Sequence, residues 1–169
     1  MNIRVARRDD LLHVQDIERR AGALFVDAGM PEIAEHPPPT IDELINAALL
    51  LVAVAGQGDD ADRPIGYAWV EIVDGHAHLE QLSVLPNHGR RGVGTRLLDA
   101  VAQWALERGD HEVTLTTFRD IPFNAPMYAR RGYVVIPADE RPPGLVALVG
   151  EEASHGLDPA GRVAMRRLL

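Results

Sequence analysis

The chain has no cysteine. That excludes disulfides, thiolate metal sites and a cysteine nucleophile together. It has no apolar stretch approaching the length of a membrane span, and its first residues, MNIRVARRDD, form no apolar signal region. The expectation is a cytoplasmic protein with no membrane partner. It lacks a basic excess: the formal net charge is −8. A nucleic-acid binder usually needs a basic face, so no nucleic-acid partner is expected. It also lacks the Gly-Lys-Ser/Thr of a P-loop. What it does have is a globular apolar share, 46%. Its 169 residues suit one domain spanning 1–169, with a core large enough to need no staples.

One segment stands out, Leu79 to Gly109, LEQLSVLPNHGRRGVGTRLLDAVAQWALERG. Leu79, Gln81 and Ser83 alternate with Glu80, Leu82 and Val84, which predicts a strand. Val93, Leu97, Leu98, Val101 and Ala105 recur at helical spacing, and Gly109 stands where a capping glycine belongs. Between them lies a loop of Gly and Arg. A strand, a glycine-rich loop and a helix N-terminus aim N–H groups and a positive dipole end at one spot, which suits phosphate or pyrophosphate. Gly92 and Gly94 allow close approach to the backbone, and Arg90 and Arg91 add charge. Leu97 fills the third glycine place of a dinucleotide fingerprint, so that reading is poor. A tight turn with no ligand is the bland alternative.

The loop resembles that of the GNAT superfamily of acyl-CoA-dependent N-acetyltransferases, Gln/Arg-x-x-Gly-x-Gly/Ala after a Val-x-Pro-like strand end. Here the strand ends Val84-Leu85-Pro86 and the loop reads Gly89-Arg90-Arg91-Gly92-Val93-Gly94, with Gly89 in place of Gln or Arg. A second segment, Phe123-Asn124-Ala125-Pro126-Met127-Tyr128-Ala129-Arg130-Arg131-Gly132-Tyr133, is similar to the family's Asn-x-x-x-Tyr…Gly-Phe/Tyr block. The resemblance implies an α/β fold: a mixed central sheet of about seven strands flanked by helices, in the order β-α-α-β-β-β-α-β-α-β-β. It implies acetyl-CoA as acyl donor, held by Leu82, Ser83, Val84, Gly89, Arg90, Arg91, Gly92, Val93, Gly94 and Thr95. It further implies that Asn124 bonds the pantetheine arm and that Tyr128 places its hydroxyl near the coenzyme sulfur. The acceptor it implies is a primary amine, with a small molecule as the leading expectation. A protein lysine or N-terminus, or a coenzyme-binding module without catalysis, stays open. Homodimers are common in the family.

Amine acetylation needs a base, because an alkylammonium has a pKa of about 10.4 and no free lone pair. His76, His78 and Glu80 are spaced by two on the strand before the loop and project from one face. In the resemblance, His78 and Glu80 fall at positions that hold paired histidines in arylalkylamine N-acetyltransferases. Glu80 is the expected base, through a water, with His78 assisting and Glu71 in reserve. A metal is the competing use of the three, but alternate strand residues lie roughly 6.6 Å apart, so two could grip one ion and three hardly could. No metal is expected.

Along the rest of the chain, Asn2 to Val5 reads as a strand and Asp9 or Asp10 as the cap of a helix to about Ala21. Residues 22 to 40 read as irregular, broken by Gly22, Gly29, Pro31 and Pro37-Pro38-Pro39, and within them Phe25 to Thr40 falls in the region that forms one lip of the acceptor site in the resemblance. Thr40 and Glu43 make a capping box for a helix to about Ala48. Strands are predicted at Leu49–Ala55, Ile65–Val73, His76–Val84, Val113–Phe118 and Tyr133–Ile136, with a hairpin at Asp74-Gly75 and an acidic turn over 56–64. Leu145 to Ala153 reads as a short helix. Arg162 to Arg166 reads as a last strand, antiparallel to that at Tyr133. Trp69 and Trp104 are expected to pack.

Overall fold

A computed structural model describes residues 1–56 and 61–169. Residues 57–60 of the predicted turn over 56–64 therefore lie outside the described residues. Among the described residues there are seven strands: β1 (Asn2–Val5), β2 (Leu49–Val54), β3 (Pro64–Val73), β4 (His76–Val84), β5 (Glu112–Phe118), β6 (Val134–Val135) and β7 (Arg162–Leu168). Six α-helices accompany them among the described residues: α1 (Leu11–Asp27), α2 (Pro31–Ala34), α3 (Ile41–Asn46), α4 (Val93–Arg108), α5 (Ala125–Ala129) and α6 (Pro143–Ser154). The sheet order is β1-β2-β3-β4-β5-β7-β6. β4 and β5 pair in parallel, while β5 with β7 and β6 with β7 are antiparallel. The sheet is mixed, as expected. No helix of the described residues is long and apolar enough to cross a membrane.

Contacts group the chain into two units. The first is Met1–Val70 with Gln81–Val101. Here β2 is buried at every position, which explains its uninterrupted apolar sequence LLLVAV. On β4, Gln81 and Ser83 both donate to Glu18 of α1, at 2.9 and 2.6 Å, and Tyr67 of β3 donates to the same carboxylate at 2.7 Å. Leu82 and Val84 turn the other way, toward Gly94 at the start of α4. The period-two alternation thus places α1 on one face of β4 and α4 on the other. Thr40 accepts from the Glu43 N–H, and Glu43 accepts from the Thr40 N–H, so the predicted box opens α3.

The irregular reading of 22–40 is corrected. α1 runs on through Gly22 to Asp27, and Pro31–Ala34 form α2. Gly22 lies inside the helix beside α2: a Cβ there would lie 3.5 Å from the Ala34 Cα, an ordinary contact, so the position does not require glycine. Pro31 begins α2 at its first position, where a proline needs no N–H partner.

The second unit is Glu71–Glu80 with Ala102–Leu169. Asp74 and Gly75 both have positive φ, 52° and 84°, as the tight β3–β4 hairpin requires. The Asp74 carboxylate also accepts the N–H groups of Gly144 and Leu145, at 2.7 and 2.9 Å, and so caps α6 from the hairpin. Ile136, Leu145 and Ala164 form a buried cluster that Val73 and Leu148 join. The strand predicted at Tyr133–Ile136 shortens to the exposed pair Val134–Val135, antiparallel to β7. Trp69 is half-buried rather than core. Trp104 lies on α4, with the Arg108 guanidinium 4.9 Å from its ring.

Candidate active site

In the first unit, Leu85 donates its N–H to Ile65 at 2.9 Å, and a single turn, Pro86–His88, leads off the end of β4. Gly89, Arg90, Arg91 and Gly92 follow, all exposed, before α4 begins. Two backbone angles shape this loop. Gly92 has φ +79°, and Arg90, with a full side chain, has φ +56°. A left-handed non-glycine residue costs on the order of 1–3 kcal/mol and tends to persist at ligand clamps. The first N–H groups of α4, at Val93, Gly94 and Thr95, have no acceptor within their helix. A Cβ at Gly92 would meet nothing within 4 Å, and at Gly94 only Leu82 and Val84, at 3.8 and 3.9 Å. The loop therefore offers an open run of N–H donors beside two guanidiniums, the donor set a pyrophosphate needs. Ser83, expected among the coenzyme contacts, is buried with its hydroxyl given to Glu18, so its main chain is what it has to offer.

In the second unit, His78 is 1% exposed and lies opposite Thr114 in the parallel β4–β5 register. Its Nδ1 is 2.8 Å from the Thr114 hydroxyl oxygen. Burial, with Arg162 adding to it, pushes the imidazole down to about 4. The ring is neutral at pH 7, so one nitrogen donates and the other accepts. Its Nε2 is 4.0 Å from the Glu80 carboxylate, beyond a direct hydrogen bond but within reach of a bridging water.

The Glu80 carboxyl is displaced upward. Burial, then the like charges of Glu152 and Glu71, push its carboxyl up to about 7, against the pull of Arg162. Glu152, on α6, is gripped at both oxygens by Arg162 of β7, at 2.9 and 3.1 Å. Thr116 of β5 also donates to Glu152 and accepts from Arg162. The Arg162 guanidinium lies 4.9 Å from the Phe118 ring. Arg162 thus neutralises Glu152 and keeps Glu80 within a useful range.

Asn124 precedes α5 and accepts the Thr117 hydroxyl at 2.8 Å through its side-chain oxygen, which leaves its amide nitrogen as donor. Its carbonyl takes the Tyr128 N–H at 3.0 Å, so the two residues stand one turn apart, as their spacing predicts. Tyr128 is 8% exposed and packs edge-on against Tyr133, ring centres 5.6 Å apart. Burial raises its hydroxyl far above the ordinary tyrosine value, so it stays protonated and able to donate. Gly132, at φ +84°, ends α5 where predicted.

The profile of the acetyltransferase (GNAT) family matches residues 17–133, more than two thirds of the chain. The chain belongs to the GNAT acetyltransferase family. As a GNAT protein it is an acyl-CoA-dependent N-acetyltransferase with acetyl-CoA as acyl donor. Its fold is similar to that of the PaiA N-acetyltransferase of Thermoplasma acidophilum, solved in complex with coenzyme A (16% identity, 99% of this chain and 98% of that one, TM-score 0.67). It is similar to aminoglycoside 6'-acetyltransferase type Ii (17% identity, 99% and 97%, TM-score 0.66). It is also similar to the ribosomal-protein-S18-alanine N-acetyltransferase of Escherichia coli (16% identity, 99% and 92%, TM-score 0.65).

Sequence reasoning singled out Glu80, His78, Asn124 and Tyr128, but not the residues that hold them. Thr114, Thr116, Thr117, Glu152 and Arg162 were missed. The two threonines at alternate positions of the apolar strand, Thr114 and Thr116, were the available signal: polar groups inside a buried strand need partners.

Proposed function

We propose that this GNAT enzyme acetylates a primary amine carried by a small molecule, with Glu80 as general base and Tyr128 as the acid that protonates the departing thiolate. The observation that carries the reading is the Glu80 carboxyl, held at about 7 in the same unit as a buried, protonated Tyr128. A carboxyl at its ordinary value is too weak a base for an ammonium. One raised toward neutrality takes the proton more readily while still ionising at the working pH.

The loop from Gly89 to Thr95 is assigned the pyrophosphate through its main-chain N–H groups, with Arg90 and Arg91 adding charge. Leu82, Ser83 and Val84 line the approach on β4. Asn124 is assigned the pantetheine arm through its free amide donor. Acetyl-CoA supplies an activated thioester carbonyl. Glu80 takes a proton from the bound ammonium, directly or through a water placed between it and His78. The freed lone pair attacks the carbonyl carbon, the C–S bond breaks, the Tyr128 hydroxyl delivers a proton to sulfur, and the second proton of the attacking nitrogen, lost as the amide forms, restores the Tyr128 hydroxyl. His78, neutral and fixed by Thr114, positions Glu80 and its water rather than titrating.

The test is CoA thiol release at saturating acetyl-CoA across two sets of acceptors. One holds small aliphatic and aralkyl amines, the other peptides with a free N-terminus or a lysine. Small amines turning over well above every peptide support the proposal. Turnover confined to peptides replaces it with protein acetylation. Tight acetyl-CoA binding with no turnover on either set leaves a coenzyme-binding module.

A further inference from the structure

A cleft of about 290 Å³ in the first unit shares no residue with those assigned to acetyl transfer. Its polar wall is His13, Asp16 and Arg20 from the first turns of α1, Arg63 at the foot of β3 and His88 from the turn after β4. Its floor includes Ile17, Ile65 and Leu85, all buried. The chain as a whole carries net charge −8, yet this wall sets two guanidiniums against one carboxylate.

The local acids do little to cancel that excess. Asp16 meets Arg20 at 3.5 Å with both side chains about half exposed, which makes a weak surface pair. Asp62, the neighbour of Arg63, is already bound by Arg4 at 3.1 Å and Arg7 at 2.5 Å. Guanidiniums facing an apolar floor suit an oxyanion with a compact apolar body. The volume is near the lower end for small-molecule sites.

We propose that this cleft binds a small organic oxyanion, a phosphate monoester or carboxylate with an apolar body, at the same time as acyl-CoA. The probe is phenyl phosphate, titrated by calorimetry into protein saturated with free CoA, so that the glycine-rich loop is already filled. The expected result is one further site. Arg20→Gln and Arg63→Gln should each weaken it about tenfold, since each removes a charge-assisted hydrogen-bond donor. Arg19→Gln, on the same helix but outside the cleft, should leave it unchanged. Inorganic phosphate should bind several-fold more weakly, for want of contact with the apolar floor. Loss of phenyl phosphate binding when CoA is present, or unchanged binding in the Arg20→Gln/Arg63→Gln double variant, overturns the proposal. Should CoA itself fail to bind, the acetyl-transfer reading is at fault. The cleft is then still read by phenyl phosphate on the CoA-free wild type against the same double variant.

Discussion

Replacing Glu80 with glutamine keeps volume and shape while removing the base, and the consequence can be worked through. In the proposed mechanism the reactive pair is ionised Glu80 with a protonated amine. Ionised Glu80 dominates above about 7, and the ammonium dominates below about 10.4. The wild-type kcat/KM should therefore rise about tenfold per pH unit up to about 7 and then level off. The Glu80→Gln enzyme has no base and uses only the neutral amine, about one molecule in 10³ at pH 7. Its kcat/KM should climb steadily to about pH 10. The deficit should be on the order of 10³-fold at pH 7 and only a few-fold at pH 10, a span within what general bases contribute. Stability should move oppositely. The folded carboxyl holds its proton up to about 7, whereas the unfolded one releases it near 4.5, so the folded state loses ground between those values as pH rises. Above that window the cost, discounted for the partial exposure of Glu80, is about 1–2 kcal/mol. Glu80→Gln should thus melt higher than wild type at pH 8. Steady-state rates on the best acceptor from pH 5.5 to 10, with calorimetric melting at pH 5 and 8, measure both. A constant deficit across that range, or a variant less stable at pH 8, would refute the role of Glu80 and its environment.

Other perturbations are simpler. Tyr128→Phe should lower kcat about 10²-fold with acetyl-CoA affinity unchanged, by rates and calorimetry, since the ring stays packed on Tyr133 and only the proton donor goes. Because the Tyr128 hydroxyl is held protonated, no alkaline fall in kcat from that group is expected below pH 10. Gly92→Ala places a side chain at φ +79°, which should cost about 1 kcal/mol in denaturant melts and weaken acetyl-CoA binding by disturbing the N–H row. Thr40→Ala removes both hydroxyl contacts with Glu43 and should cost about 1 kcal/mol, a melting shift of roughly 2–4 °C, with kcat unaltered.

Local signals carried most of the fold, and the exceptions have physical causes. The alternation of β4, the apolar run of β2, the Thr40–Glu43 box and the glycines after α4 and α5 each encode their structure within a few residues. The end of α1 does not. Gly22 discourages a helix by only about 1 kcal/mol, a local cost that the rest of a 17-residue helix with buried Leu11, Val14 and Ile17 outweighs. The site divides the same way. Glu80 and Tyr128 were legible because their motifs are contiguous. The Arg162–Glu152–Thr116 group is assembled from β7, α6 and β5, and no short window of sequence contains all three.

Sequence alone named Glu80 as the expected base, with His78 assisting and Glu71 of the neighbouring strand in reserve, and the environments of His78 and Glu80 bear on that order. Both His78 and Glu80 are displaced by burial, but in opposite senses, since burial disfavours the cation of one and the anion of the other. Taking a proton from an ammonium near 10.4 is uphill by the difference in pKa. That is about 9 kcal/mol for a base at about 4 and about 5 kcal/mol for one at about 7. The difference amounts to about three orders of magnitude in favour of the carboxylate. Burial therefore has a divided effect on this strand. It disarms the histidine, whose neutral ring becomes a fixed hydrogen-bonding wall, and it strengthens the glutamate. A His78→Asn variant should accordingly keep the acid limb near 7 while losing rate, whereas movement of that limb toward 4 would mean that the imidazole, and not its neighbour, sets the basicity.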